Sequence, residues 1–403
     1  MSNTGSRSLI VQKYGGSSLA KPEQIQAVAD VIAGLHAKGH KLLIVVSAMG
    51  KTTDQLVELA YKVSPTPNRR ELDMLLTTGE RVSMALMSMA LNDRRVPAIS
   101  FTGSQAGVLT DELHSNARII DVKPVRLEPE INKGNVAVLA GFQGVSPRTK
   151  DITTLGRGGS DTTAVAMAAY FKAERCEIRK DVDGVHSADP NAVKGTAHLP
   201  HLHYHSLLDM TYWGAKVLHY RSVELATLLR IPVLIALAHG EGPSTLIDGE
   251  AKMYEQARIL SVNSHKEVRW LRVSKPDLAS AFQEFSAALK PGDLPLPQFL
   301  DTEMHANGCS FLITAPQETL TAVCQTAIKN PAMTLDQRDL ATVTATCQGA
   351  YASPLPAEIA SALKAQSIEL HKMIFGALSV TVVVNAKDRE RAIQTIHDLR
   401  PSA

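Results

Sequence analysis

Apolar residues run without a break over 42–46 and stop at Ser47-Ala48-Met49-Gly50. A run of that length, apolar on both faces, predicts a strand buried inside a parallel sheet. The pattern recurs over residues 9–11, 97–101, 136–140, 175–178 and 232–235. Between strands the period lengthens. Ile25, Val28, Ala29 and Ile32 stand at i, i+3, i+4 and i+7, one face of a helix. Such alternation predicts a layered α/β sandwich with a mainly parallel sheet through about residue 250.

The rhythm changes after Gly240-Glu241-Gly242-Pro243, a turn-rich hinge leading into a short strand over 245–247. Residues 268–273 alternate like a strand, 278–289 have helical periodicity, and 310–314 form another strand. A second set follows, with strand 341–346, helix 357–363, strand 378–384 and helix 388–399. Two βαβ-like sets in succession predict a separate α+β domain over 256–403, built from paired small modules. Residues 1–8 are small and polar and read as a frayed tail without the apolar core of a signal peptide.

A chain of 403 residues, 44% apolar and 20% charged, has material for two or three domains. Its net charge is +2, from 42 basic against 40 acidic side chains, which argues against a general nucleic-acid or membrane-surface binder. Four cysteines (Cys176, Cys309, Cys324 and Cys347) form no Cys-x-x-Cys pair, so a disulfide scaffold or structural zinc site is not expected. No apolar run approaches the length of a spanning helix. A cytoplasmic location is the expectation.

Candidate chemistry gathers at the ends of the predicted strands. Lys13-Tyr14-Gly15-Gly16-Ser17-Ser18 sets a lysine and two adjacent glycines between a buried strand and a helix. Bare backbone amides there can approach phosphate oxygens, and the lysine adds a point charge. The P-loop spacing is absent, and glycines that serve packing alone would read the same. Ser47 to Thr53 repeats the strand–loop–helix arrangement, with Thr53 a plausible helix cap. Leu155-Gly156-Arg157-Gly158-Gly159-Ser160-Asp161 is the most informative segment. An arginine fork and an acid bracket a glycine turn, matching the two charges of an α-amino acid. Asp181, in Asp181-Val182-Asp183-Gly184, suits a magnesium nucleotide or an ordinary turn. Lys216 follows in Gly214-Ala215-Lys216, and Glu80 either holds an ammonium or pairs with Arg81. The histidines at 198, 201, 203 and 205 read as a solvated loop, and no metal site is predicted.

Taken in order, these segments resemble the aspartate kinases of the amino acid kinase family. The matching stretches include Lys-Tyr-Gly-Gly-Ser-Ser at 13–18, Val-Val-Ser-Ala-Met-Gly-Lys-Thr-Thr-Asp at 45–54 and Thr-Gly-Glu-Arg at 78–81. Ala-Gly-Phe-Gln-Gly at 140–144, Leu-Gly-Arg-Gly-Gly-Ser-Asp-Thr-Thr at 155–163, Asp-Val-Asp-Gly-Val at 181–185 and Gly-Ala-Lys-Val-Leu-His at 214–219 complete the set. The resemblance implies an amino acid kinase domain over 9–250 and tandem ACT-like modules over 256–403. The implied reaction is transfer of the γ-phosphoryl group of ATP, with Mg2+, to the side-chain carboxylate of L-aspartate. The product, 4-phospho-L-aspartate, would open lysine, threonine and methionine synthesis.

By motif match, Lys13, Arg157 and Asp161 would be catalytic. Ser47, Thr53, Glu80, Phe142, Arg157, Gly159, Ser160 and Asp161 would bind the amino acid. Lys13, Gly15, Gly16, Ser17, Lys180, Asp181, His186 and Lys216 would face the nucleotide. The C-terminal modules would supply a homodimer contact and a site for a lysine or threonine effector. Two readings stay open beside this one: another kinase of the same family, acting on glutamate derivatives, carbamate or a nucleoside monophosphate, and a non-catalytic amino-acid sensor. The chain departs from the family at Arg179-Lys180, His186, Asn191 and Tyr220, all on the nucleotide side, where altered ATP recognition is expected. Lys275-Pro276-Asp277-Leu278 and Gly349-Ala350-Tyr351-Ala352-Ser353-Pro354 likewise replace the family's usual module loops.

Overall fold

The computed structural model describes residues 8–250, 258–288, 297–348 and 354–400. The tail expected over 1–7 and most of the 349–354 loop therefore lie outside the described residues. The chain divides into two compact units. The first holds residues 1–185, 198–208 and 216–252, and the second holds 186–197, 209–215 and 253–403.

An eight-stranded sheet forms the middle of the first unit. Its order is His201–His203, Ser244–Asp248, Val233–Leu237, Arg175–Lys180, Leu9–Tyr14, Lys41–Val46, Val136–Ala140 and Ala98–Phe101. The last six are mutually parallel, and Ser244–Asp248 turns back antiparallel on Val233–Leu237. The apolar runs are strands because both faces are covered. Ile10, Tyr14, Leu42, Ile44 and Val46 pack against Ile25, Val28, Ala29 and Ile32 of the helix Pro22–Ala37 and Met87 and Leu91 of Thr78–Asp93. The opposite face carries Gly159–Tyr170, buried over ten consecutive residues from Gly159 to Ala168. Its small side chains let a helix lie flat on the sheet with no polar stripe to offer water. A four-stranded sheet of Ile119–Val122, Val108–Thr110, Gln143–Val145 and Ile152–Thr154 completes the unit.

The second unit is an antiparallel sheet in the order Gln298–His305, Gly308–Thr314, Arg258–Val273, Leu340–Gln348, Ser379–Asn385 and Lys372–Phe375. The long strand Arg258–Val273 serves both modules. Its first part pairs with Leu340–Gln348, and after an irregularity between His265 and Val268 its last five residues pair with Gly308–Thr314. Each module has its own core, one around Phe285, Phe311 and Leu320, the other around Ile359, Val382 and Ile393. The sequence pattern anticipates the helices Leu278–Ala288, Leu355–Ala365 and Arg389–His397 but not Gln317–Lys329. The strands Gln298–His305 and Lys372–Phe375 are also unanticipated. Both are outermost in the sheet, where half-exposed positions need no apolar alternation. Among the described residues no helix is long and apolar enough to cross a membrane.

Candidate active site

Four neighbouring strands of the first unit end at one level. Tyr14 pairs with Val46 on one side and Arg179 on the other, and Val46 pairs with Ala140. Each passes into a loop of interest: Gly15-Gly16-Ser17, Ser47 to Gly50, Gly141-Phe142, and Asp181. Parallel strands put all of these at the carboxyl edge of the sheet, where open α/β sheets bind ligands. The loops are laced together. The Gly50 N–H donates to the Gly16 carbonyl at 2.9 Å, and the Ser47 N–H donates to the Tyr14 carbonyl at 3.1 Å. A Cβ on Gly16 would fall 2.6 Å from the Ala48 oxygen, so the approach requires glycine.

The helix Gly159–Tyr170 brings a fifth loop to this edge. Its N-cap, Gly158, has φ of +71°, and a Cβ there would collide with the His219 side chain at 2.2 Å. Asp161, in the first turn, points to the sheet and meets Lys13 Nζ at 2.6 Å, with the two side chains 7% and 8% exposed. Burial opposes ionisation of Asp161, but the Lys13 and Lys180 ammoniums beside it prevail and hold its carboxyl below the usual range. Lys180 ends the next strand and donates to the Val217 carbonyl. Burial pulls its pKa down, against the attraction of Asp161. A buried and a half-buried cation facing one carboxylate leave positive charge in surroundings poor in water, which suits a phosphoryl group.

Glu80 stands in the first turn of Thr78–Asp93 and is 3% exposed. Its Oε1 accepts the Ala48 N–H at 3.1 Å. Oε2, like Arg81 Nε, has no hydrogen-bond partner among the described residues, so the Glu80–Arg81 pair does not form through these atoms. Burial pushes the Glu80 pKa up to about 7. A buried carboxyl poised to ionise near neutral pH, with one oxygen lacking a partner among the described residues, can take a cation from a ligand.

Phe142 adopts φ of +68°. Its N–H donates to Thr163 Oγ1 at 3.2 Å, and its carbonyl accepts the Leu155 N–H at 2.9 Å. A Cβ on Gly159 would come 3.0 Å from the Phe142 ring, and one on Gly141 would come 2.8 Å from Ser160 Cβ. These four residues thus pack together around the helix start. Ser47 and Thr53 are half-buried. Thr53 lies in the first turn of Thr52–Val63, and the cap position belongs to Lys51, a correction to the expected cap. Arg157 is exposed in the turn before Gly159–Tyr170. Ser17, Asp181 and Lys216 are exposed, and His186 belongs to the second unit.

His219 has no role in the sequence reading. It caps Tyr220–Leu229 by accepting the Arg221 N–H at 3.4 Å and sits near Gly158. Burial and then Arg221 lower its pKa, Asp161 opposes, and Arg157 adds to the lowering. Its signal in sequence was only its place at the end of the 214–219 motif. No group of three or more His, Cys, Asp or Glu side chains is arranged to hold a metal among the described residues, the histidines of 198–205 included.

The sequence profile of the amino acid kinase family matches residues 8–237. An aspartokinase of Corynebacterium glutamicum is 38% identical over 403 residues, covering 97% of this chain and 95% of that one. The chain belongs to the aspartokinases, within the amino acid kinase family. An aspartokinase of Mycobacterium tuberculosis is 47% identical over 295 residues, covering 72% of this chain and 70% of its own. The structure of Escherichia coli aspartokinase III in complex with aspartate and ADP matches with a TM-score of 0.78 at 20% identity, over 97% of this chain and 99% of that one. That likeness establishes the aspartokinase fold across both units.

Proposed function

We propose that this aspartokinase transfers the γ-phosphoryl group of ATP to the side-chain carboxylate of L-aspartate at the carboxyl edge of the eight-stranded sheet. The observation that carries the placement is the buried Lys13–Asp161 pair at 2.6 Å, with Lys180 beside it. In the reaction a carboxylate oxygen of aspartate forms a bond to the γ-phosphorus as the bond to the bridging oxygen breaks, and ADP leaves. The substrate supplies the nucleophile, so the protein needs only to position and to stabilise charge.

Lys13 faces the transferring group. Asp161 fixes the Lys13 ammonium so that its charge needs no reorganisation when the phosphoryl group moves. Glu80 takes the α-ammonium of aspartate on its free oxygen, and Arg157, from the exposed turn, closes on the α-carboxylate with its planar fork. Gly15, Gly16 and Ser17 offer backbone amides to the phosphates. Lys180, Asp181 and Lys216 line the nucleotide side, Lys180 leaving the Val217 carbonyl for a phosphate oxygen. The lone exposed Asp181 fits a magnesium ion held mainly by phosphates and water, and not a protein-built cage. When bound, that ion would neutralise charge on the nucleotide phosphates. The Arg179-Lys180 pair supports altered nucleotide affinity, which parallel ATP and GTP titrations test. The paired modules of the second unit support a homodimer and an amino-acid effector. Sedimentation with and without lysine or threonine tests both.

ADP release from MgATP, followed with aspartate, glutamate, N-acetylglutamate and UMP, tests the reaction itself. Turnover with aspartate that Lys13→Ala lowers about a thousandfold is the expected result. Turnover with another acceptor instead, or binding of aspartate without turnover, would overturn it.

A further inference from the structure

Asp73 lies in the short helix Arg69–Leu76 and is completely buried, yet it meets neither a lysine nor an arginine among the described residues. Its carboxylate is instead surrounded by short-range donors from a loop and from the end of the strand Ile152–Thr154. From one loop come His114 Nδ1 at 2.8 Å, the Ser115 N–H at 3.1 Å to each oxygen, and Ser115 Oγ at 3.4 Å. From the strand end come the Thr154 N–H at 3.1 Å and Thr154 Oγ1 at 2.6 Å. A buried carboxylate satisfied in this way fixes the backbone that satisfies it.

The backbone it holds is strained. Ser115 has φ of +66°, a left-handed conformation that a non-glycine residue keeps only where its surroundings over-determine it. Ser115 and Asn116 in turn support the turn that carries Arg157. A Cβ on Gly156 would lie 3.1 Å from both the Ser115 carbonyl oxygen and Asn116 Oδ1. Arg221, from the helix Tyr220–Leu229, ties the 115–117 loop to Leu155, the residue after that strand. Its guanidinium donates to the Leu155 carbonyl at 2.6 Å, to Asn116 Oδ1 at 3.0 Å and to the Ala117 carbonyl at 2.8 Å. The Ala117 N–H donates to the Thr154 carbonyl at 2.9 Å and closes the arrangement.

We infer that Asp73 and Arg221 are positioning residues for aspartate. Together they set the height and direction of the Gly156-Arg157 turn, and hence where the Arg157 fork meets the substrate carboxylate. The inference rests on the proposed placement of aspartate beside Arg157. Neither residue touches the Lys13–Asp161 pair, so the phosphate end of the site should not register their loss.

The test is steady-state kinetics on the full chain with Asp73→Asn, Arg221→Gln and Arg221→Lys, varying aspartate and ATP separately. About a tenfold rise in KM for aspartate with KM for ATP within twofold is expected for Asp73→Asn and Arg221→Gln, with partial rescue in Arg221→Lys. Pairing each with Arg157→Lys should give less than the product of the separate effects, because all act through one guanidinium. Equal rises for both substrates, no rise at all, or full multiplication with Arg157→Lys would overturn the inference. Should Asp73→Asn fail to fold, the two Arg221 variants decide alone. A wild-type chain that did not turn over aspartate would instead overturn the placement of the substrate.

Discussion

The two sides of the proposed phosphoryl-transfer site are built differently. On the amino-acid side Glu80, Ser160 and Asp161 are all buried, and Phe142, Gly141 and Gly159 are packed within van der Waals reach of one another. On the nucleotide side Ser17, Asp181 and Lys216 are exposed, and only Lys180 is drawn inward. The buried side is preorganised, so its groups hold charge in place before the substrate arrives and each is costly to replace. The exposed side is solvated, and charges there are screened and worth less individually. In the proposed placement the small substrate would be read by a rigid pocket that the exposed Arg157 closes, and the large one by a looser rim.

Breaking the buried side at its centre should give the largest effect. Lys13→Ala removes the cation proposed to face the transferring phosphoryl group and leaves the buried Asp161 with Lys180 alone as its counter-charge. A fall in kcat of about a thousandfold is expected from the lost charge stabilisation. Stability should fall by about 3–5 kcal/mol, the usual cost of removing one partner of a buried pair. Denaturant unfolding beside the ADP-release assay separates the two losses. A fall in stability with kcat intact would leave the pair structural only.

Glu80 comes next, and its pH dependence gives it a signature. In the free protein its pKa is raised from 4.5 to about 7, so folding takes up a proton between those values. The raised pKa favours the folded state fully below about pH 4.5, and that contribution is lost as pH rises through 7. Glu80→Gln should therefore be no more stable than wild type at pH 4 but more stable at pH 8, by up to roughly 3 kcal/mol. Function should move the other way, with kcat/KM for aspartate lowered about a hundredfold at pH 8 because the ammonium loses its counter-charge. In wild type, kcat/KM for aspartate should fall as pH drops below about 7 while kcat stays nearly flat. A variant no more stable at pH 8, or a flat kcat/KM profile, would show that Glu80 is not the buried acid of this site.

How much of this contrast was written in the sequence follows from range. The Gly15-Gly16 and Gly156–Asp161 loops were legible because glycine density and charge are local signals, and the strands that present them are continuous apolar runs. Which cation Asp161 would meet was not legible. The sequence suggested a substrate ammonium, whereas in this structure the ammonium is that of Lys13, far away along the chain. Asp73 carried no signal in the sequence, because its partners at 114, 115 and 154 are brought to it only by the fold. In the second unit the pattern marked the core strands and three helices, but an edge strand such as Gln298–His305, with mostly half-exposed positions, leaves little periodicity to read. Residues 186–197 and 209–215 cluster with the C-terminal unit although they lie within the stretch whose motifs belong to the kinase. Trp213 shows why: it packs with Val268, Leu312 and Val383, contacts that no local pattern encodes.

Lys180 sharpens the comparison because it is a half-buried cation on the exposed side. Lys180→Ala removes a cation that burial has already moved below the ordinary lysine pKa. KM for ATP should rise about tenfold with KM for aspartate nearly unchanged. In wild type, ATP affinity should weaken as pH rises through the lowered Lys180 pKa, and that alkaline limb should vanish in Lys180→Ala. A rise in KM for aspartate instead would move Lys180 to the other side of the site.

The smallest effect should come from Lys216→Ala. Lys216 is exposed, and a solvated lysine facing a phosphate contributes a few tenths to about 1 kcal/mol, weakened further by salt. KM for ATP should rise no more than about fivefold at low ionic strength and about twofold at 0.15 M salt, with kcat unchanged. The salt dependence is the decisive reading. A charge acting through solvent must lose its effect as the Debye length shrinks from about 30 Å at 0.01 M toward 8 Å, whereas a lysine that ATP encloses on binding would keep it. A salt-insensitive loss larger than tenfold would mean that the rim closes around the nucleotide, and the division into a rigid pocket and a loose rim would then describe only the empty protein.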